Sequence, residues 1–214
     1  METVRSYRQH CGIARALDLV GERWAMLVIR DLILGPKRFT DLRDTLPGIA
    51  TNVLTQRLKE LERYGVIRRR PLPPPAASTV YELTEYGREL EPVLLALGRW
   101  GAKTIGEPTP GQSIRSQWFA VGLKAYFRPE AAQDVHATIA MHFEDDIGLS
   151  VQLDGGDVSV TVRPPDEAEL TLTGRDPGVV AAFLAGEPVT KAAFSAEGDL
   201  ALLSRLPAIF PLRT

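Results

Sequence analysis

The chain has 214 residues, 44% hydrophobic and 24% charged, which suits a globular protein with one large core or two small ones. Its single cysteine excludes an intrachain disulfide, no apolar run nears the ~20 residues of a membrane span, and the opening METVRSYRQH lacks a signal peptide's apolar core, so a cytoplasmic protein is expected. The net charge of -2 conceals an asymmetry: residues 1–107 carry 17 Lys/Arg against 13 Asp/Glu, or +4, and residues 108–214 carry 8 against 14, or -6. A polyanionic partner would meet the first half.

The first helical pattern runs from about Ile13 to Leu34, with Leu17, Val20, Trp24, Leu27 and Leu34 among its apolar positions, and is interrupted at Gly21. Residues 35–65, GPKRFTDLRDTLPGIATNVLTQRLKELERYG, then predict two helices broken at Pro47-Gly48. Thr40 is expected to cap the first, whose Phe39, Leu42 and Leu46 meet Leu54 and Leu58 across the turn. In the second, Leu54, Leu58 and Leu61 recur at i, i+4 and i+7 and commit one face to a core. The opposite face collects Asn52, Gln56, Lys59 and Arg63, flanked by Thr55 and Arg57. Asn and Gln can pair with an adenine edge, and Arg and Lys with guanine or phosphate. The same stripe would also serve as a plain solvated face.

Val66–Arg70 and Thr79–Leu83 predict two strands of a hairpin wing, with Pro71 to Ser78 as a turn outside the ladder. Strand alternation places Arg68 and Arg70 on one face and Arg69 on the other. Helix, tight turn, longer helix and wing together form a device for seating one helix in a DNA major groove. Beyond the wing, Thr84 should cap a helix carrying Leu90, Val93, Leu94, Leu97 and Trp100, which Pro92 kinks or restarts. The first and last helical regions hold more apolar surface than one such domain needs, which predicts a dimer.

Residues 106–112, with two prolines and two glycines, read as a linker. After it, 135–143, 147–153, 157–163 and 168–173 alternate apolar with polar, the pattern of an antiparallel sheet with one covered face. Gly155-Gly156 joins two of these strands, and Pro164-Pro165 ends another. Asp176-Pro177 opens a helix with Val179, Val180, Phe183 and Leu184 that stops near Gly186; a last helix begins around Gly198-Asp199 and carries Leu200, Leu203, Leu206 and Phe210. The order indicates α+β with helices on one face.

Catalysis finds little support. His136 and His142 share one side of a strand about 20 Å apart at ~3.3 Å per residue, too far to share a metal. Neither a Ser–His–acid group nor a P-loop or dinucleotide fingerprint is present, and Asp145-Asp146 reads as a polar turn. No enzyme activity, metal or cofactor is expected.

From Cys11 to about Trp100 the chain resembles the HxlR family of bacterial winged-helix regulators. The resemblance rests on Cys11, Asp18-Leu19-Val20-Gly21-Glu22-Arg23-Trp24, Leu32, Gly35, Arg38-Phe39, Leu42, Ile49, Leu54-Thr55-Gln56-Arg57-Leu58-Lys59-Glu60-Leu61, Gly65, Tyr81-Glu82-Leu83-Thr84 and Gly87. It implies a homodimer on a near-palindromic operator in double-stranded DNA. Thr51, Asn52, Thr55, Gln56, Arg57 and Lys59 would lie at the groove or its phosphates, and Arg38, Thr40, Arg69 and Arg70 at the backbone. Gly12 and Ala50 depart from the pattern; Thr51 would replace the cap lost at Ala50. Cys11 reads either as a redox sensor, with Arg8, His10 and Arg15 nearby, or as a small apolar residue packed at the dimer interface.

Residues from about Phe143 to Phe210 are similar to the sterol-carrier-protein-2-like domain, through Gly155-Gly156, Leu170-Thr171-Leu172, Phe183-Leu184-Ala185-Gly186-Glu187-Pro188 and Gly198-Asp199. That likeness implies an apolar small molecule held between sheet and helices, with Leu149, Val151, Val160, Leu170, Leu172, Phe183, Leu184, Leu203 and Leu206 as lining. The connection Phe194-Ser195-Ala196-Glu197 is shorter than the family's, which implies a narrowed or closed cavity. The expected protein is therefore multi-domain: a mainly α winged helix-turn-helix with a β wing over 1–105, a linker, and an α+β sterol-carrier-protein-2-like domain over 113–214 whose antiparallel sheet is covered by helices. The expected function is DNA-binding transcriptional regulation, modulated by an apolar effector. The alternative is a lipid-carrier-like binding or assembly protein whose winged helix mediates protein contacts.

Overall fold

The structure, a computed structural model, describes residues 6–74, 78–106, 115–144, 147–187 and 194–212. The linker expected at 106–112 lies outside them from 107 onward, as do Asp145-Asp146, Pro188 and the wing-turn residues 75–77. The chain divides into two compact units, Met1–Leu94 and Leu95–Thr214.

In the first unit, helices α1 (Gly12–Val20) and α2 (Ala25–Ile33) replace a continuous run, and the break falls at Gly21 as the pattern predicts. Trp24, the residue before α2, sits at φ 79°. A two-residue strand β1 (Lys37–Arg38) leads into α3 (Phe39–Thr45) and α4 (Thr51–Arg63), followed by β2 (Ile67–Pro71), β3 (Thr79–Leu83) and α5 (Glu85–Arg88). Val28, Ile29, Leu32, Leu42, Leu46, Leu54, Leu58, Leu61, Ile67 and Leu83 form the buried core. Each apolar side chain of that size removed from water contributes about 1.5–3 kcal/mol before chain entropy is counted.

The wing is antiparallel, with β3 between β1 and β2. The ladder runs one pair further than expected: Pro71 pairs with Thr79, and the Leu72 N–H donates to the Ser78 carbonyl at 2.7 Å. Pro71 ends an edge strand, where its missing N–H breaks no bond. Thr84 caps α5 by accepting from the Gly87 N–H at 3.0 Å, and the chain restarts as α6 (Glu91–Ala102) around Pro92.

The second unit opens with α7 (Ser116–Tyr126), which the sequence pattern did not reveal because eight of its eleven residues are buried, blurring the polar face. Strands β4 (His136–Phe143), β5 (Leu149–Asp154) and β6 (Asp157–Thr161) form a meander; β7 (Leu170–Gly174), α8 (Pro177–Leu184), β8 (Phe194–Gly198) and α9 (Leu200–Ile209) complete the unit. The sheet order is β6-β5-β4-β7-β8.

The sheet departs from expectation in two ways. The sheet is mixed, not antiparallel, since β4 and β7 run parallel from Ile139↔Leu170 to Phe143↔Gly174. Alternation fixes which face a residue takes but carries no information on the direction of its neighbour. Phe194-Ser195-Ala196-Glu197 is not a connection but most of edge strand β8, paired with β7 from Gly174↔Phe194 to Leu170↔Gly198. Helices α7, α8 and α9 contact the sheet, whose Ile139, Met141, Leu149, Val151, Leu153, Leu170 and Leu172 are buried. Both helices start where expected, each behind a capping carboxylate: Asp176 accepts from Gly178 N–H at 2.8 Å and Asp199 from Leu202 N–H at 3.0 Å.

Candidate nucleic-acid interface

The helix pair α3–α4 is fixed by its ends. Arg38, not Thr40, precedes α3, and the Asp41 carboxylate reaches back to accept the Arg38 N–H at 2.9 Å. Thr40 lies inside the helix and its hydroxyl donates to Asp41 at 3.4 Å. At the other end Thr45 donates to the buried Asp31 carboxylate of α2 at 2.5 Å, and Arg30 holds the second Asp31 oxygen at 2.8 Å. Burial pushes the Asp31 carboxyl above its ordinary range, against the pull of Arg30 and of the Thr45 hydroxyl.

Leu46-Pro47-Gly48-Ile49 then turns the chain: Ile49 N–H donates to the Leu46 carbonyl at 3.1 Å, and Gly48 takes φ +85°. Proline followed by a glycine at positive φ is the signature of a type II turn. Helix α4 begins at Thr51 behind Ala50, with no side-chain cap, so Thr51 does not take over that role. It ends where Val66 N–H donates to Leu61 O at 2.9 Å and Gly65 N–H, at φ +72°, to Glu62 O at 3.0 Å, a Schellman motif.

Leu54, Leu58 and Leu61 are buried, while Thr51, Asn52, Gln56, Lys59 and Arg63 lie exposed and Thr55 half-buried along the rest of α4. Thr55 donates to the Thr51 carbonyl at 2.8 Å, and Gln56 donates through Nε2 to Glu60 at 3.1 Å. Arg57 differs from its neighbours. It is buried, 2.5 Å from Glu60 and 3.8 Å from Glu22, so its guanidinium fastens α4 to the α1–α2 connection. Arg38 and Thr40 are exposed at the start of α3.

In the wing, alternation holds. Arg68 and Arg70 converge on Glu82 through Nε at 2.8 and 2.9 Å, whereas Arg69 lies over the Tyr81 ring and pairs with Glu62 of α4 at 3.3 Å. The hydrogen bonds from Arg70 and Arg68 hold the Glu82 carboxyl below its ordinary range. Sequence reasoning missed these carboxylates: Glu22, Glu60, Glu62 and Glu82 set the arginine orientations. The i,i+4 spacing of Gln56 and Glu60 was a usable signal. Glu22–Arg57 required the tertiary fold.

In the other unit, Leu149, Val151, Val160, Leu170, Leu172, Leu184 and Leu206 are buried core residues, with Phe183 and Leu203 half-buried. A depression of about 490 Å³ opens on the opposite sheet face, lined by His136, Thr138, Gln152, Asp154, Asp157 and Glu169 among others. His136 Nδ1 lies 2.6 Å from Asp154 there. Cys11 is exposed at the N-terminus of α1, and the N–H groups of Ala14 and Ile13 lower its thiol below the ordinary value. Among the described residues no His, Cys, Asp and Glu group could hold a metal ion, and no helix is long and apolar enough to cross a membrane.

A short helix, a type II turn, a longer helix with one apolar and one polar face, and a hairpin behind it define a winged helix-turn-helix. Residues 19–108 match the model of the HxlR-like helix-turn-helix family. The chain is 41% identical over 92 residues to the uncharacterized HTH-type transcriptional regulator sll1512 of Synechocystis, covering 43% of this chain and 68% of that one. It is 42% identical over 93 residues to the uncharacterized HTH-type transcriptional regulator YdeP of Bacillus subtilis, covering 44% and 73%. A solved structure, of the redox regulator HypR in its oxidized form, matches at 34% identity over 45% of this chain and 100% of that one, with a TM-score of 0.43. The chain belongs to the HxlR-like helix-turn-helix family.

Proposed function

We propose that the protein is a transcriptional regulator that binds a near-palindromic operator in double-stranded DNA as a homodimer. The observation that carries this reading is the exposed stripe Asn52, Gln56, Lys59 and Arg63 on α4, directly opposite Leu54, Leu58 and Leu61 in the core. A helix so held offers paired amide donors and acceptors to base edges and cations to phosphates. Within this reading Asn52 and Gln56 read bases; Thr51, Thr55, Lys59, Arg38 and Thr40 approach the groove walls, and of the wing arginines Arg68 and Arg70 meet the backbone, while Arg69, expected there too, is held by Glu62 and Tyr81 and ties the wing to α4. Arg57, buried among carboxylates, acts by fastening the helix. Ile13 and Leu17 of α1 and, separately, Val93, Leu97 and Trp100 of α6 are exposed apolar residues of the kind that a second copy would cover.

The mixed sheet with helices on one face supports a sterol-carrier-protein-2-like module that takes an apolar effector. Coupling requires that the effector bind one arrangement of the dimer better than another. The test is fluorescence anisotropy of the full chain on DNA selected from random sequence. Operator binding that weakens steeply with salt supports the reading; a chain that ignores DNA favours the lipid-carrier-like alternative. An apolar dye displaced from the protein by fatty acid, with a change in DNA affinity, supports the effector role.

A further inference from the structure

In the wing, two guanidiniums share one carboxylate. Arg68 and Glu82 are directly opposed in the β2–β3 ladder, and Arg70 follows two residues on, on the same face. Glu82 gives one oxygen to each: Oε1 to Arg68 Nε at 2.8 Å and Oε2 to Arg70 Nε at 2.9 Å. The Glu82 side chain is 9% exposed, whereas the Arg68 and Arg70 side chains are 62% and 43% exposed. A guanidinium has five N–H donors, and the shared carboxylate takes the Nε donor of each. The two Cα atoms stand about 7 Å apart along the strand, and the one carboxylate thus holds both guanidiniums through Nε, leaving the terminal nitrogens to meet a ligand. The trio carries a net charge of +1. Arg69 points the other way, across Tyr81 to Glu62, and ties the wing to α4.

We infer that Glu82 is a positioning residue for DNA binding: it fixes Arg68 and Arg70 as a preformed pair that grips the phosphate backbone. The inference rests on the DNA-binding reading above. A carboxylate beside a phosphate site is electrostatically unfavourable, so on charge alone its removal strengthens binding and steepens the salt dependence. If Glu82 acts by holding the forks, its removal weakens binding although the protein gains a positive charge. Two long side chains must then be ordered at the moment of association. Because the contacts are to backbone, the loss is the same on every sequence.

The experiment uses the full chain and a fluorescein-labelled duplex of mixed sequence, read by anisotropy across a salt series. Glu82→Gln keeps the size and one acceptor but not the charge. The inference expects binding weaker on the order of tenfold, the scale of losing preorganised arginine rotamers. It also expects a salt slope shallower by about one ion. Binding equal to or tighter than wild type overturns it. Should Glu82→Gln fail to fold by circular dichroism, the exposed double variant Arg68→Lys with Arg70→Lys decides, since it keeps net charge but not the fork. Weaker binding with a shallower slope supports the inference, and unchanged binding overturns it. A wild-type chain with no salt-dependent DNA binding removes the DNA-binding reading itself, a result distinct from either variant outcome.

Discussion

Replacing Thr45 with Val tests the clamp between α2 and α3. The two side chains have similar volume, so the change removes a hydroxyl without opening a cavity, at a site where Thr45 is 8% and Asp31 1% exposed. What is lost is the 2.5 Å bond to the Asp31 carboxylate. A hydrogen bond to a charged group contributes about 1.5–3 kcal/mol, and no water can replace it at this depth. At roughly 4–8 °C per kcal/mol for a domain of this size, the melting transition of the first unit should fall by about 6–24 °C. The pH dependence adds a second check. Burial raises the Asp31 pKa, with Arg30 and Thr45 opposing, so the variant's folded-state pKa lies above the wild type's. The variant binds the proton first as pH falls. The wild-type advantage is therefore fully present above the variant's folded-state pKa and is lost as pH falls through it toward the wild-type value. Differential scanning calorimetry across that range measures both effects. A difference below about 0.5 kcal/mol at neutral pH, or one that does not shrink on acidification, would refute the clamp as an ionic hydrogen bond.

Gln56→Ala should cost about 1–3 kcal/mol on a selected operator and relax base preference at one position; an equal loss on random DNA would show that Gln56 does not read bases. Gly48→Ala forces a Cβ onto a backbone at φ +85° and should destabilise the first unit by about 1–2 kcal/mol in urea titration, against no change if the turn adapts freely. Trp100→Glu places a charge on a side chain that is 72% exposed in the single chain and should yield monomers with weakened operator binding by sedimentation; an intact dimer would move the interface elsewhere. Cys11 should be alkylated at lower pH than an unstructured cysteine peptide, since the Ala14 and Ile13 N–H groups favour its thiolate, and a midpoint at or above the peptide's would contradict that environment.

Much of the first unit was legible because its signals are local. Leu54, Leu58 and Leu61 declared their face by period, and Pro47-Gly48 declared the turn. Side-chain partners were less legible. Arg57 sits on the flank of the polar stripe, and only the fold brings Glu22 beside it and draws it out of solvent. Asp31 reads as one more charge in a helix, although Thr45, fourteen residues on, is its partner. In the second unit, Asp176-Pro177 and Asp199 marked helix starts through short-range capping chemistry. The parallel β4–β7 pairing depends on how the chain between Thr161 and Leu170 crosses over, which no periodicity records. Helix α7 escaped for the opposite reason to α4: burial nearly all round leaves no contrast between faces.

The most direct test of the DNA-reading account is a competition titration of the 214-residue chain between a sequence it selects from a random pool and mixed-sequence duplex, repeated across a salt series. The account predicts binding to the selected sequence stronger by at least about a thousandfold, and log affinity falling linearly with log salt on both duplexes. Equal affinity for the two duplexes, or affinity indifferent to salt, would contradict it.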